Sequence, residues 1–152
     1  MDDGFIQIIN NKPLLSAIVA WAITQALKVF INVRKEKRFD FRWFIGPGGM
    51  PSVHTAGVVA LATAIGISEG IGSGLFAISV ILALTVVFDA QVVRRNFGYQ
   101  AQALNKIIED IYSRREIKEE RLKELLGHTP MEVIVGGLLG FIIAVMICWG
   151  SG

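Results

Sequence analysis

The feature that most constrains the fold of this chain is a set of four apolar segments separated by polar ones. They cover approximately residues 13–33, 53–68, 73–93 and 130–149. A hydrocarbon core of ~30 Å is crossed by about 20 helical residues, so segments of this kind are typical of membrane spans. Only 18% of the residues are Asp, Glu, Lys or Arg, against about 25% in a soluble domain. The sequence therefore predicts one all-α domain over residues 1–152, a polytopic membrane helix bundle with four transmembrane helices.

The second and third segments are expected to form a helical hairpin. Residues 69–74 between them read Glu-Gly-Ile-Gly-Ser-Gly, a composition typical of a tight turn. The second segment is shorter than a full span, which favours a helix that begins in a polar recess. Ala56, Ala60 and Ala64 favour close packing of this helix, either within the hairpin or with a second copy of the chain. The sequence leaves a homo-oligomer open.

The distribution of basic residues predicts the orientation of the bundle. Segments 34–52 and 94–129 carry most of the 15 Lys and Arg residues, and short loops rich in these residues stay in the cytoplasm. We therefore expect a multi-pass protein of the cell membrane, with both segments cytoplasmic and the turn at 69–74 outside. The net charge of +2 gives no argument for a nucleic-acid partner.

The second basic segment shows helical periodicity over about residues 99–126. Its apolar positions include Leu104, Ile107, Ile108 and Ile111. Ser113 and Glu116 form a capping-box pattern that restarts a helix. We predict cytoplasmic amphipathic helices that lie on the bilayer or against the bundle, with recruitment of lipid head groups as a secondary alternative.

The single cysteine of the chain, Cys148, excludes an internal disulfide framework and a cysteine-based zinc site. Because it lies in the apolar run of the fourth segment, we expect its side chain to face lipid.

Two ionisable residues lie inside predicted spans. Lys28 lies in the first span and Asp89 in the third. Both lie at about the same distance from the cytoplasmic end of their span. Charged groups within spans are costly and mark functional sites by default. Equal depth and opposite charge predict a Lys28–Asp89 pair. The alternatives are a purely structural ion pair and a lysine that reaches out to the interface.

One histidine begins the second span. Residues 48–55 read Gly-Gly-Met-Pro-Ser-Val-His-Thr. The two glycines let the backbone approach an anion, and a helix that starts at Ser52 directs amides and its positive dipole end toward phosphate. His54, in the first turn, is a candidate proton donor to a leaving oxygen. The alternative is an ordinary turn with a solvated histidine.

The other histidine precedes the fourth span on the same side. His128 is followed by Thr129, Pro130 and Glu132, which form a capping-box pattern with proline at its preferred position. A structural role as a cap is therefore a strong alternative for Glu132. Since the chain has only two histidines, their common placement before two helices on one face favours a shared site.

Arg94 and Arg95 end the third span on that same face. The combined set is what phosphoryl transfer requires: cations that hold phosphate oxygens, one imidazole that attacks phosphorus, a carboxylate that orients it and a second imidazole that protonates the leaving group. No metal or other cofactor is expected, because the arginines and Lys28 would repel a cation.

These residues resemble the divergent branch of the type 2 phosphatidic acid phosphatase superfamily, which is related to acid phosphatases and vanadium-dependent haloperoxidases. The resemblance covers almost the whole chain. It is carried by residues 25–28 (Gln-Ala-Leu-Lys), 48–54 (Gly-Gly-Met-Pro-Ser-Val-His), 88–95 (Phe-Asp-Ala-Gln-Val-Val-Arg-Arg), 100–105 (Gln-Ala-Gln-Ala-Leu-Asn) and 125–132 (Leu-Leu-Gly-His-Thr-Pro-Met-Glu).

The resemblance implies a role for each matching residue. Lys28 would contact phosphate, Ser52 and its neighbouring amides would cradle it, and His54 would be the acid. His128 would be the nucleophile and Glu132 its orienting carboxylate. Arg94 or Arg95 would replace an arginine that the superfamily places before the nucleophilic histidine. Apart from the resemblance, the position of Asp89 inside a span predicts that it gives buried polar support to the site. The chain departs from the superfamily pattern at Val53, where a small residue is usual.

Three functions are compatible with these features. The first is a phosphatase-like hydrolase of a lipid phosphate, a phosphatidate or polyprenyl phosphate, in the cytoplasmic leaflet. The second is a non-catalytic binder or carrier of anionic phospholipid head groups. The third is a structural membrane subunit, in which both histidines tolerate substitution.

Overall fold

The structure, a computed structural model, describes residues 3–44, 49–112 and 129–150. The described part of the chain is helical. Its elements are α1 (Asp3–Ile9), α2 (Lys12–Glu36), a 3₁₀ turn (Phe41–Phe44), α3 (Val53–Ser68), α4 (Gly74–Phe88), a π turn (Asp89–Val93), α5 (Arg94–Tyr112) and α6 (Pro130–Trp149).

Local capping chemistry sets where these helices begin. The side chain of Asn11 accepts a 3.0 Å hydrogen bond from the amide of Leu14, with Pro13 in the first turn of α2. The hydroxyl of Ser73 accepts a 3.1 Å bond from the amide of Phe76 at the start of α4. The predicted turn at 69–74 is confirmed, since α3 ends at Ser68 and α4 begins at Gly74. Side-chain caps of this kind satisfy amides that have no partner within the helix.

Helix α3 lies at the centre of the bundle and packs against α2, α4 and α6. The three most closely packed helices carry a small residue at every fourth position, which we call the small-residue ladders. Their rungs are Ser16, Ala20 and Thr24 in α2; Ala56, Ala60 and Ala64 in α3; and Gly136, Gly140 and Ala144 in α6. Small side chains at this spacing let helix axes approach closely, which is how helices pack in lipid.

The closest approach is between α3 and α6. A Cβ atom added at Gly136 would overlap the carbonyl oxygen of Ser52, and one added at Gly140 would overlap that of Ala56. The backbone of α6 therefore rests directly on the backbone of α3, and these two glycines are required at these positions.

In the part of the chain that the structure describes, three helical stretches are long and apolar enough to cross a membrane: Lys12–Glu36, Gly74–Val92 and Pro130–Trp149. Helix α3 is apolar but has only 16 residues, a length of ~24 Å at 1.5 Å per residue. Among the described residues, three of the four predicted transmembrane helices therefore have spanning length, and the fourth stays a prediction. Their outer faces expose large apolar side chains, among them Ile78 and Ile81.

Cys148 corrects one sequence-based expectation. It is buried in a cluster with Ala64 and Ala144, so it faces the bundle interior rather than lipid. It continues the ladder of α6 by one more helical turn, a position that hydropathy alone does not distinguish from the lipid-facing side.

Two helices outside the central bundle, α1 and α5, complete the description of the fold. Helix α1 has no counterpart in the sequence analysis. Helix α4 continues through the π turn into α5, which contains the first predicted amphipathic helix. The second, over 113–126, lies outside the described residues.

Candidate functional site

The three small-residue ladders end in polar residues at one end of the bundle. One helical turn beyond Thr24 in α2 is Lys28, one turn before Ala56 is Ser52, and one turn before Gly136 in α6 is Glu132. The close packing of the ladders therefore determines how near these three side chains lie to one another. Of the residues predicted from the sequence, this is the group that the structure brings together.

Ser52 joins the starts of α3 and α6. Its backbone amide donates a 2.9 Å hydrogen bond to the carbonyl oxygen of Glu132, and its hydroxyl lies 2.9 Å from that of Thr55. The residue is completely buried. The amide and the hydroxyl of Ser52 are thus both engaged within the protein, and its side chain does not cap α3.

Lys28 is buried, with 6% of its surface exposed. Its Cε atom lies 3.2 Å from the position that a Cβ of Gly49 would occupy. Gly49 has a φ of +90°, a backbone conformation that favours glycine. The loop before α3 therefore passes directly over the lysine stem, and a side chain at this position would crowd it.

The carboxylate of Glu132 contributes to the electrostatic surroundings of Lys28. The pair of Lys28 with Asp89, which the equal depths predict, stays a prediction. Asp89 is half-buried and begins the π turn after α4. Depth along a span does not fix the direction in which a residue points around its helix, and the packing of α2 is mainly on α3 and α6.

Glu132 also completes the predicted capping box, which is confirmed. Its Oε2 atom accepts a 3.1 Å hydrogen bond from the amide of Thr129. Its own amide donates a 3.4 Å bond to the hydroxyl of Thr129. One carboxylate therefore stabilises the start of α6 and offsets the charge of Lys28.

A second contact holds the loop that leads to the site. The side-chain amide of Gln25 donates a 3.0 Å hydrogen bond to the carbonyl oxygen of Trp43. This bond attaches the 3₁₀ turn to α2, one helical turn before Lys28. Residues 45–48, which include Gly48 of the glycine pair, lie outside the described part of the chain.

His54 lies at the same end but on another face of α3. Its side chain is exposed and lines a hollow of about 360 Å³ with Trp21 of α2 and Val86 of α4. Thr55, by contrast, faces α6, where its Cγ2 atom lies 3.8 Å from a Cβ placed on Gly137. His54 is thus close in sequence to Ser52 yet opens toward α2 and α4.

The remaining predicted residues fall outside what the structure describes. Arg94 and Arg95 are the first residues of α5, but their side chains are outside the described set. His128 immediately precedes Thr129 in the sequence and is itself not described. Thr55 and Gly136 were not predicted from the sequence. The signals that indicate them are the three-residue spacing of Ser52 and Thr55 and the Gly-x-x-x-Gly pattern of α6.

Comparison with known proteins identifies the family of the chain. The profile of the Divergent PAP2 family matches residues 9–143, which include every candidate residue from Lys28 to Glu132. The uncharacterized membrane protein YuiD of Bacillus subtilis (strain 168) is 37% identical over 155 aligned residues, which cover 95% of this chain and 98% of YuiD. No solved structure matches the chain. A match over most of the chain, together with this similar membrane protein, leads to one conclusion: the chain is a member of the divergent PAP2 family.

Proposed function

We propose that the protein binds a lipid phosphate at the end of the bundle where α3 and α6 begin, and hydrolyses it. The observation that carries the proposal is the Ser52–Glu132 hydrogen bond, which sets two helix N-termini side by side next to the buried Lys28. The N-terminus of a helix carries partial positive charge and amides without intrahelical partners, so two of them beside a lysine favour an anion.

The proposal includes a topology. Helix α3, shielded by α2, α4 and α6, acts as a fourth, short span. The site end then faces the cytoplasm, because the basic segments 34–52 and 94–129 adjoin it. A substrate would be a phosphatidate or a polyprenyl phosphate of the cytoplasmic leaflet.

The proposed chemistry uses both histidines. The imidazole of His128 attacks phosphorus, the bond from phosphorus to the lipid oxygen breaks, and His54 gives that oxygen a proton. Water then attacks the phosphohistidine and releases inorganic phosphate. Lys28, Arg94 and Arg95 stabilise the phosphate oxygens, and Glu132 orients the nucleophile.

The test is phosphate release from phosphatidate and polyprenyl phosphate by the purified protein in the presence of a metal chelator. His54→Ala should lower the rate by about 10²–10⁴-fold, the usual contribution of a general acid, and His128→Ala should abolish the phosphoenzyme. Thr85→Ala is the control, since that exposed hydroxyl donates only to the carbonyl of Ile81 in its own helix. Full turnover in the His128 variant would remove it from the nucleophile role.

A second candidate function is a non-catalytic binder of phosphate head groups. It is favoured by the state of Ser52, whose amide and hydroxyl are both engaged within the protein. A site in which Ser52 does not contact phosphate would still bind phosphate or vanadate, and Arg94→Ala would weaken that binding. It would release no phosphate from any lipid. The same assay separates the two functions.

A further inference from the structure

An apolar furrow leads away from His54 between α2 and α4. The hollow that His54 lines is otherwise almost entirely apolar, with walls that include Ile18 and Trp21 of α2, Leu61 of α3 and Val86 of α4. His54 is the polar side chain among the residues that line this hollow. A concave surface of this composition suits hydrocarbon and offers nothing to a second phosphate.

The furrow runs along one face of α3. His54, Gly57, Val58 and Leu61 recur at the three- and four-residue spacing that places side chains on one side of a helix. Leu61 also borders a second hollow of about 780 Å³ that reaches Ser68 and Asn11 at the opposite end of the bundle. From His54 to Ser68 the helix rises ~21 Å, at 1.5 Å per residue.

Gly57 keeps the floor of the furrow open. A Cβ atom at this position would meet only the carbonyl oxygen of Ala17 at 3.8 Å and the Cβ of Trp21 at 4.0 Å, both ordinary contact distances. The absence of a side chain here therefore does not serve close helix packing, unlike at Gly136 and Gly140. It leaves space beside Trp21.

We propose that this furrow holds one hydrocarbon chain of the lipid whose phosphate is bound where α3 and α6 begin. The inference rests on the proposed function and adds to it the part of the site that recognises the lipid tail. Three features select this occupant: the apolar walls, the continuity with His54, and the direction of the furrow along the bundle toward its opposite end.

The test fills the furrow. Gly57→Leu places a branched side chain in the open floor, and Gly137→Leu is the matched control, because a Cβ there also has its nearest neighbours at 3.8 Å but faces Thr55 and Val59 instead. Binding is measured for dioleoyl phosphatidate, for a water-soluble short-chain phosphatidate and for inorganic phosphate. We expect Gly57→Leu to weaken binding of the long-chain lipid about tenfold, equivalent to one or two lost methylene contacts, and to leave the other two probes unchanged.

A direct readout uses Trp21. In a Trp43→Phe/Trp149→Phe background, in which Trp21 is the one remaining tryptophan, phosphatidate with brominated acyl chains should quench the fluorescence in a saturable manner. Unlabelled dioleoyl phosphatidate should reverse the quenching, and Trp21→Phe should remove it. If Gly57→Leu binds the long-chain lipid as well as the wild type, or if no saturable quenching occurs while short-chain phosphates bind, the furrow is not the tail site and the proposed function stands. If none of the three probes binds, both proposals are wrong.

Discussion

The backbone amide of Ser52 donates a 2.9 Å hydrogen bond to the carbonyl oxygen of Glu132, and one helical turn further along α6 the carbonyl oxygen of Ser52 lies against Gly136. Both the amide and the carbonyl oxygen of Ser52 therefore contact α6. The position of α3 along α6 depends on this contact.

Gly136→Ala should therefore destabilise the protein. Its Cβ would overlap the backbone of Ser52, and overpacking of this kind costs about 1–3 kcal/mol. Gly137→Ala is the control, because its nearest neighbours, Thr55 and Val59, are both 3.8 Å away. Thermal unfolding in detergent measures the difference. Equal melting temperatures for the two variants would mean that α3 and α6 do not approach as closely as described.

The charges of Lys28 and Glu132 should be coupled. Lys28→Met leaves the carboxylate without its cation, and Glu132→Gln leaves a buried ammonium, so each change alone is destabilising. The double variant should be more stable than the sum of the two effects predicts, by between about 0.5 and 3 kcal/mol. A double-mutant cycle on unfolding provides the measurement, and strictly additive effects would show that the two charges act independently.

Much of the fold could be predicted from the sequence because its signals are local. The ends of α3 and α6 coincide with the predicted segments 53–68 and 130–149, since the Pro and Ser or Thr residues that start them and the glycines nearby act within a few residues. The capping box of Thr129 and Glu132 was predicted for the same reason. The π turn was not predicted, because no single residue type specifies it.

The site was less predictable because it depends on which faces of the helices meet. Sequence spacing gave the depth of Lys28 and Asp89 but not the direction in which they point, and it did not indicate that Glu132 contributes to the electrostatic surroundings of Lys28. Cys148 was assigned to lipid although it extends the small-residue ladder of α6. The spacing of the small-residue ladders identifies the packed face of each helix. It therefore indicates that Lys28, Glu132 and Cys148 lie on packed faces.

The hydroxyls of Ser52 and Thr55 should matter for stability rather than for phosphate affinity. They lie 2.9 Å apart and are both buried, so Ser52→Ala leaves the Thr55 hydroxyl without this partner at a cost of about 1–3 kcal/mol. Removing both groups in Ser52→Ala/Thr55→Val should restore part of the loss. Phosphate binding by the double variant, measured by calorimetry, should match the wild type. A large loss of affinity at normal stability would instead make Ser52 a direct phosphate contact.

The orientation of the bundle can be tested with two exposed positions at opposite ends. Ile71, in the glycine turn, is 79% exposed, and Phe41, in the 3₁₀ turn near the site, is 77% exposed. The one native cysteine, Cys148, is buried and should contribute little background. If the basic segments are cytoplasmic, a membrane-impermeant maleimide should label Ile71→Cys on intact cells and label Phe41→Cys only after the cells are opened. The opposite pattern would place the lipid-phosphate site on the outer face and exclude a substrate drawn from the cytoplasmic leaflet.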